Sequence, residues 1–125
     1  MEQNMVGWFE IPVIDMERAK NFYEQVFKIK IQVQDFHGTL MGWFPFAESK
    51  SGCAGSLIKN EAYTPSDTKG VLIYFSSADV KIELDRVGSA GGKVLKDKTL
   101  ISPDVGYMGL FLDSEGNRIA LHSRK

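Results

Sequence analysis

Trp8-Phe9-Glu10-Ile11-Pro12-Val13-Ile14-Asp15-Met16-Glu17-Arg18-Ala19-Lys20-Asn21-Phe22-Tyr23 joins a short apolar strand directly to an amphipathic helix. Trp, Phe, Ile and Val favour a pleated strand, which is expected from Gly7 to Ile14. Pro12 has no amide to donate, so it belongs near a strand end or edge. Asp15 is a good helix cap, because its carboxylate accepts from the free amides of the first turn. Glu17 then lies at the positive end of the helix dipole. Met16, Ala19, Phe22 or Tyr23, Val26 and Phe27 follow at helical spacing, so the helix is expected to end near Phe27.

Downstream, Lys28 to Gln34 alternates polar and apolar residues and reads as a strand with one wet face. Asp35 to Gly38 reads as a turn, Thr39 to Phe46 as a strand, Glu48 to Gly52 as a loop and Cys53 to Asn60 as a strand. Glu61 to Gly70 is a connecting loop rich in turn-forming residues. The pattern then restarts. Val71 to Phe75 is a strand, and Asp79 opens a helix carrying Val80, Leu84 and Val87 on one face. Gly91-Gly92 stops that helix. Lys93 to Lys98, Tyr107 to Leu112 and Arg118 to Ser123 complete three more strands. The Asp113-Ser114-Glu115-Gly116-Asn117 turn closes the last hairpin. Both halves read strand, helix, strand, strand, strand. Asp15 falls on Asp79, and Met41-Gly42 is echoed by Met108-Gly109. The fold class is α+β, with two βαβββ modules of a mixed sheet, about 7–60 and 70–123, in one domain over 1–125.

The chain has 125 residues, of which 43% are hydrophobic and 25% charged. Those fractions suit one folded domain and argue against disorder. A net charge of −1 and a pI near 6.1 disfavour nucleic acid as a partner, since phosphate neutralisation wants a basic face. With one cysteine, Cys53, no intrachain disulfide forms. No charged-then-apolar leader opens the sequence and no run approaches a membrane helix. A cytoplasmic protein without a membrane partner is the expectation.

The tandem repeat resembles the vicinal oxygen chelate superfamily, which holds glyoxalase I, extradiol dioxygenases, fosfomycin resistance proteins and bleomycin resistance proteins. Val13 to Tyr23 resembles its opening helix motif. Phe111-Leu112-Asp113-Ser114-Glu115-Gly116-Asn117-Arg118-Ile119-Ala120-Leu121 resembles its closing hairpin. The resemblance implies curved sheets with a concave cavity, a small organic ligand and a homodimer. Trp43, Phe44 and Phe46 supply apolar surface for an interface or a core. An enzyme of this family would be a lyase, isomerase or dioxygenase; a binding protein would sequester a drug.

In metal-dependent members of the family, the first and last strands of each module carry His, Glu or Gln ligands. Counting from the helix-capping Asp and the hairpin Asp, the resemblance carries those positions onto Trp8, Ser56, Leu72 and Ala120. None supplies an imidazole or carboxylate. No metal cofactor is therefore expected at the usual place. The alternative is a divalent metal (Zn, Ni, Mn or Fe) at a displaced site formed by Glu10 and His122, which could otherwise act as an acid and base. Period-two alternation puts Glu10 and Pro12 on the face of Trp8, Tyr74 and Ser76 on that of Leu72, and Arg118 and His122 on that of Ala120. Ala54 and Ile58 join Ser56. The opposite set, Phe9, Ile11, Val13, Val71, Ile73, Phe75, Ile119 and Leu121, is apolar and expected under the helices. Trp8, Ser56, Tyr74, Tyr63 and Arg118 are the candidate ligand-binding residues. Glu10 has the plainer roles of pairing with Arg118 or standing exposed at the sheet edge, and Tyr63 that of an ordinary loop residue.

Overall fold

The computed structural model describes residues 4–48 and 50–125. Residues 1–3 of the expected N-terminal lead-in, and Ser49 of the Glu48–Gly52 loop, lie outside the described residues. The order is β1 (Glu10–Pro12), α1 (Met16–Phe27), β2 (Gln32–Phe36), β3 (Thr39–Trp43), β4 (Ser56–Lys59), β5 (Ile73–Ser76), α2 (Val80–Ala90), β6 (Lys93–Ser102), β7 (Gly106–Leu112) and β8 (Arg118–Ser123). Each half is strand, helix, strand, strand, strand. The strands form two mixed sheets, ordered β1-β4-β3-β2 and β5-β8-β7-β6. The first strand of each half pairs parallel with the last, placing Glu10 beside Ser56 and Tyr74 beside Ala120.

Both helices start as the sequence dictates. Asp15 accepts from the Arg18 amide and Asp79 from that of Lys81. Both end on a left-handed residue: Gly91 for α2, but Lys28 for α1. Lys28 therefore caps a helix instead of starting a strand. The backbone reaches β2 only at Gln32, and β2 runs on through Asp35 and Phe36, leaving His37-Gly38 as the turn. β1 is shorter than the Gly7–Ile14 expectation, since only three residues find ladder partners. β6 is longer, continuing to Ser102 through several register irregularities.

One core runs through both halves. Met16, Ala19, Phe22, Tyr23 and Val26 of α1 and Val80, Leu84 and Val87 of α2 share it with Ile11, Leu57, Phe111, Ile119 and Leu121. Two glycines show why the repeat carries Met-Gly in mid-strand. A β-carbon on Gly42 would stand 3.1 Å from the Met16 sulfur, and one on Gly109 would stand 2.7 Å from Leu84 Cδ1. At each glycine a helix side chain, Met16 of α1 or Leu84 of α2, packs straight onto the strand backbone. Of the helix-facing set, Ile11, Val13, Ile119 and Leu121 lie in the core and Phe9 and Phe75 pack against it, whereas Ile73 is only partly buried and stands outside that cluster. Val71 precedes β5 and is 88% exposed.

The two motifs at the ends of the chain clasp each other. Glu115 Oε1 accepts from the amides of Ile14 and Asp15, both at 2.8 Å, and its carboxylate receives Arg18 Nε at 2.7 Å. Asp113 accepts the Tyr23 hydroxyl at 2.7 Å and the amides of Glu115 and Asn117. Asn117 Nδ2 donates to the Pro12 carbonyl at 2.7 Å and to Asp113, while its oxygen accepts from the Ser66 amide. The hairpin turn of the second module thereby ties down strand β1, the start of α1 and the connecting loop at once.

Candidate functional site

β1 and β5 are edge strands of their respective sheets. Between β1 and the β5–β8 edge lies a cleft of about 590 Å³. Trp8, Glu10 and Pro12 line it from the first module, Leu72, Arg118 and Ile119 from the second, and Thr64, Ser66 and Lys69 from the connecting loop. Asn117 lies in its wall, so the clasp that joins the modules also shapes the cleft. This volume lies within the range that small-molecule sites occupy.

The cleft brings together Trp8, Glu10 and Arg118 of the sequence candidates. Glu10 and Arg118 do not pair. Arg118 Nε donates to the Asp67 carbonyl at 2.9 Å instead, and Glu10 has no ion-pair partner among the described residues. His122 does not line the cleft. It follows Arg118 by four residues on β8, about 13 Å along a strand, and its Nε2 hydrogen-bonds the Val105 carbonyl at 2.7 Å. Glu10 and His122 thus do not converge on one cavity. Among the described residues, no three His, Cys, Asp or Glu side chains gather into a metal-binding group.

Tyr74 is exposed and lines a neighbouring cleft of about 710 Å³, which shares Phe9, Leu72 and Ile73 with the first and is further lined by Phe27, Phe44, Phe75 and Cys53. Tyr63 is exposed and lines neither cleft; the connecting loop reaches the first one through Thr64, Ser66 and Lys69. Ser56 is fully buried and its hydroxyl has no hydrogen-bond partner among the described residues. In the register it sits between Glu10 and Trp43. The Trp43 ring meets Trp8 edge-on at 6.1 Å and stacks beside Phe36 at 6.4 Å, an interplanar angle of 16°. Three half-exposed aromatics therefore stand on the face of the first sheet turned away from the helices. Sequence reading placed Trp43 among interface or core residues and Phe36 in a turn. Only strand register reveals that both share the face of Trp8. Phe44 belongs to the core and Phe46 is exposed.

The four positions at which metal-dependent relatives hold a ligand are poorly suited to a divalent cation. Trp8 and Leu72 are partly exposed side chains without a usable donor, and Ala120 is buried without one. That leaves one hydroxyl, on Ser56. A metal site of this kind takes imidazole or carboxylate donors, so these residues do not fit the group.

The electrostatics concentrate at the clasp. Burial raises the Asp113 carboxyl above its ordinary range even though Tyr23 and Asn117 hydrogen-bond its charged form. Burial, reinforced by the charge of Asp113, pushes the Tyr23 phenol well up. Burial would raise Glu115 too, but the Arg18 hydrogen bond and the amides of Asp15 and Ile14 outweigh it and hold the carboxyl low.

The sequence model of the Glyoxalase/Bleomycin resistance protein/Dioxygenase superfamily matches residues 5–121. A glyoxylase-like domain-containing protein of Didymella fabae is 29% identical over 124 residues, which are 95% of this chain and 93% of that protein. Glyoxalase I from Zea mays superposes with a TM-score of 0.70 at 19% identity, covering 94% of this chain and 45% of the maize chain. This chain thus spans about half the length of the maize enzyme. An antibiotic-binding protein from Streptomyces sp. CB03234 superposes with a TM-score of 0.64 at 23% identity, covering 100% of this chain and 99% of that one.

Proposed function

Since the chain belongs to the Glyoxalase/Bleomycin resistance protein/Dioxygenase superfamily, we propose that it binds a small, planar, amphipathic molecule in the cleft beside Trp8, without a divalent metal at the family's usual positions. The observation that carries this reading is the cleft itself: about 590 Å³, apolar along Val6, Trp8, Leu72 and Ile73, with few polar groups. An apolar wall with a few convergent polar groups suits a small organic ligand. A half-exposed indole offers a flat face for stacking. Trp8, Leu72 and Ala120 cannot supply metal ligands, which weighs against lyase or dioxygenase chemistry run through a metal there. Holding a molecule without transforming it is compatible with these residues, and the Streptomyces relative is named for antibiotic binding.

The test is a native mass-spectrometry screen of planar organic compounds against the protein and against Trp8→Ala. Ligands retained by the first and lost, by tenfold or more in affinity, from the second support the reading. A hit list indifferent to Trp8→Ala, or an empty one, contradicts it.

The same reading includes a homodimer. Phe36 and Trp43, stacked on one face of the first sheet, are 45% and 43% exposed, an apolar surface that a second copy would cover.

A further inference from the structure

Resting on that reading of the cleft, we infer that its ligand carries an anionic group, a carboxylate on an aromatic framework, received by Arg118 of β8 and Lys69 of the connecting loop. Arg118 and Lys69 both line the cleft, one from β8 and one from the connecting loop. Neither makes an ion pair among the described residues. The guanidinium is nevertheless held. Its Nε donates to the Asp67 carbonyl at 2.9 Å, and no protein group takes its two terminal nitrogens among the described residues. A guanidinium anchored through Nε presents its remaining donors as a fixed fork, the geometry that matches a carboxylate bidentately.

The connecting loop that carries the second cation is itself built. Ser66 Oγ accepts from the amides of Thr68 at 3.2 Å and Lys69 at 2.8 Å, and the Ser66 amide donates to the buried Asn117 at 3.2 Å. Lys69 therefore stands on a turn fastened to the clasp between the modules. Glu10 is the one acidic side chain in the lining, against two cations. Asp67 lines an adjoining recess of about 250 Å³ that Lys69 and Arg118 also border, and among the described residues its carboxylate pairs with neither cation. The lining thus has an excess of one positive charge, with Trp8 supplying the aromatic wall and Arg118 and Lys69 the anion contacts. Glu10, on the opposite wall, would repel a carboxylate bound the other way round and so sets its orientation.

The experiment pairs benzoate, 2-naphthoate and anthracene-2-carboxylate with their primary amides, which keep the ring and shape and lose the charge. Affinities are measured by titration calorimetry on the wild type, Trp8→Ala, Arg118→Gln, Lys69→Gln and Arg118→Lys. The carboxylates are expected to bind at least tenfold tighter than the amides, with the preference growing with ring size and falling as salt rises. Arg118→Gln is expected to abolish the preference, Lys69→Gln to reduce it severalfold, and Arg118→Lys to retain only part of it, since charge survives without the fork. Circular dichroism of each variant checks that the fold persists; both side chains are exposed. Acids and amides binding equally, in a manner lost in Trp8→Ala, would overturn the anion inference and leave the cleft reading standing. No binding of either series would overturn both.

Discussion

The residues that decide most are those whose charge or volume has no alternative partner. Glu115 is one. Its side chain is inaccessible to solvent, and four donors on α1 and the segment before it converge on it. A carboxyl held below its ordinary value stabilises the fold at pH above that value, and the contribution is lost as pH falls through it. Acid unfolding should therefore begin below the ordinary glutamate value of 4.5. Glu115→Gln should lower stability at neutral pH by about 1–2 kcal/mol, since two amides and Arg18 lose a charged acceptor, and flatten the acid limb of a urea-midpoint-against-pH profile. Asp113 has the opposite sign. Its raised carboxyl disfavours the folded state as pH rises past its ordinary value. Asp113→Asn removes that penalty but turns an acceptor into a donor facing Tyr23 or Asn117. The expected net is a loss of about 1–3 kcal/mol, measured by denaturant unfolding at pH 7. At this scale the sequence was partly legible. Asp15 could be read as a cap from its place before an amphipathic run, whereas nothing local tells Glu115 that it will reach the amide of residue 14, 101 positions away.

Elements were legible wherever one local pattern sufficed. Both helices, their capping aspartates and the last hairpin follow from periodicity and turn chemistry. Strand ends were not, because pairing depends on a partner. β1 shrinks to three residues, while Phe36 is drawn into β2 by pairing with Thr39 across a two-residue turn. The Met-Gly echo has a structural reason, since at each glycine a helix side chain packs against the strand. Gly109→Ala should lower stability by about 1–3 kcal/mol, the cost of forcing a methyl group against a buried leucine. Gly42→Ala should do the same through Met16 and Ile31. Thermal unfolding of the two variants checks this; no loss in either would mean that the helices can shift off their strands cheaply.

For the molecule as a whole, the same clasp that unites the modules makes the cleft. Pro12, Asn117 and Ser66 belong to a strand, a hairpin and a loop, and Asn117 holds all three. Asn117→Ala should cost about 1–3 kcal/mol of stability and weaken cleft ligands several-fold by freeing the loop; hydrogen exchange should show faster exchange over 64–70. The candidate site was half legible. Alternation put Trp8, Tyr74, Arg118 and His122 on one face, but Tyr74 and His122 do not line the cleft. Distance along a strand is invisible to a period-two argument. Lys69 escaped notice because a loop residue has no period. Light scattering on the purified protein should give twice the 14.0 kDa chain mass; a single-chain mass would mean that Phe36 and Trp43 stay open to solvent.

The most direct test is the dissociation constant of an aromatic ligand found by the screen, measured on chelator-treated protein and again with Zn(II), Ni(II), Mn(II) or Fe(II) added. The prediction is a constant that changes by less than about twofold with metal and rises at least tenfold in Trp8→Ala. Binding that appears only with metal would contradict the account.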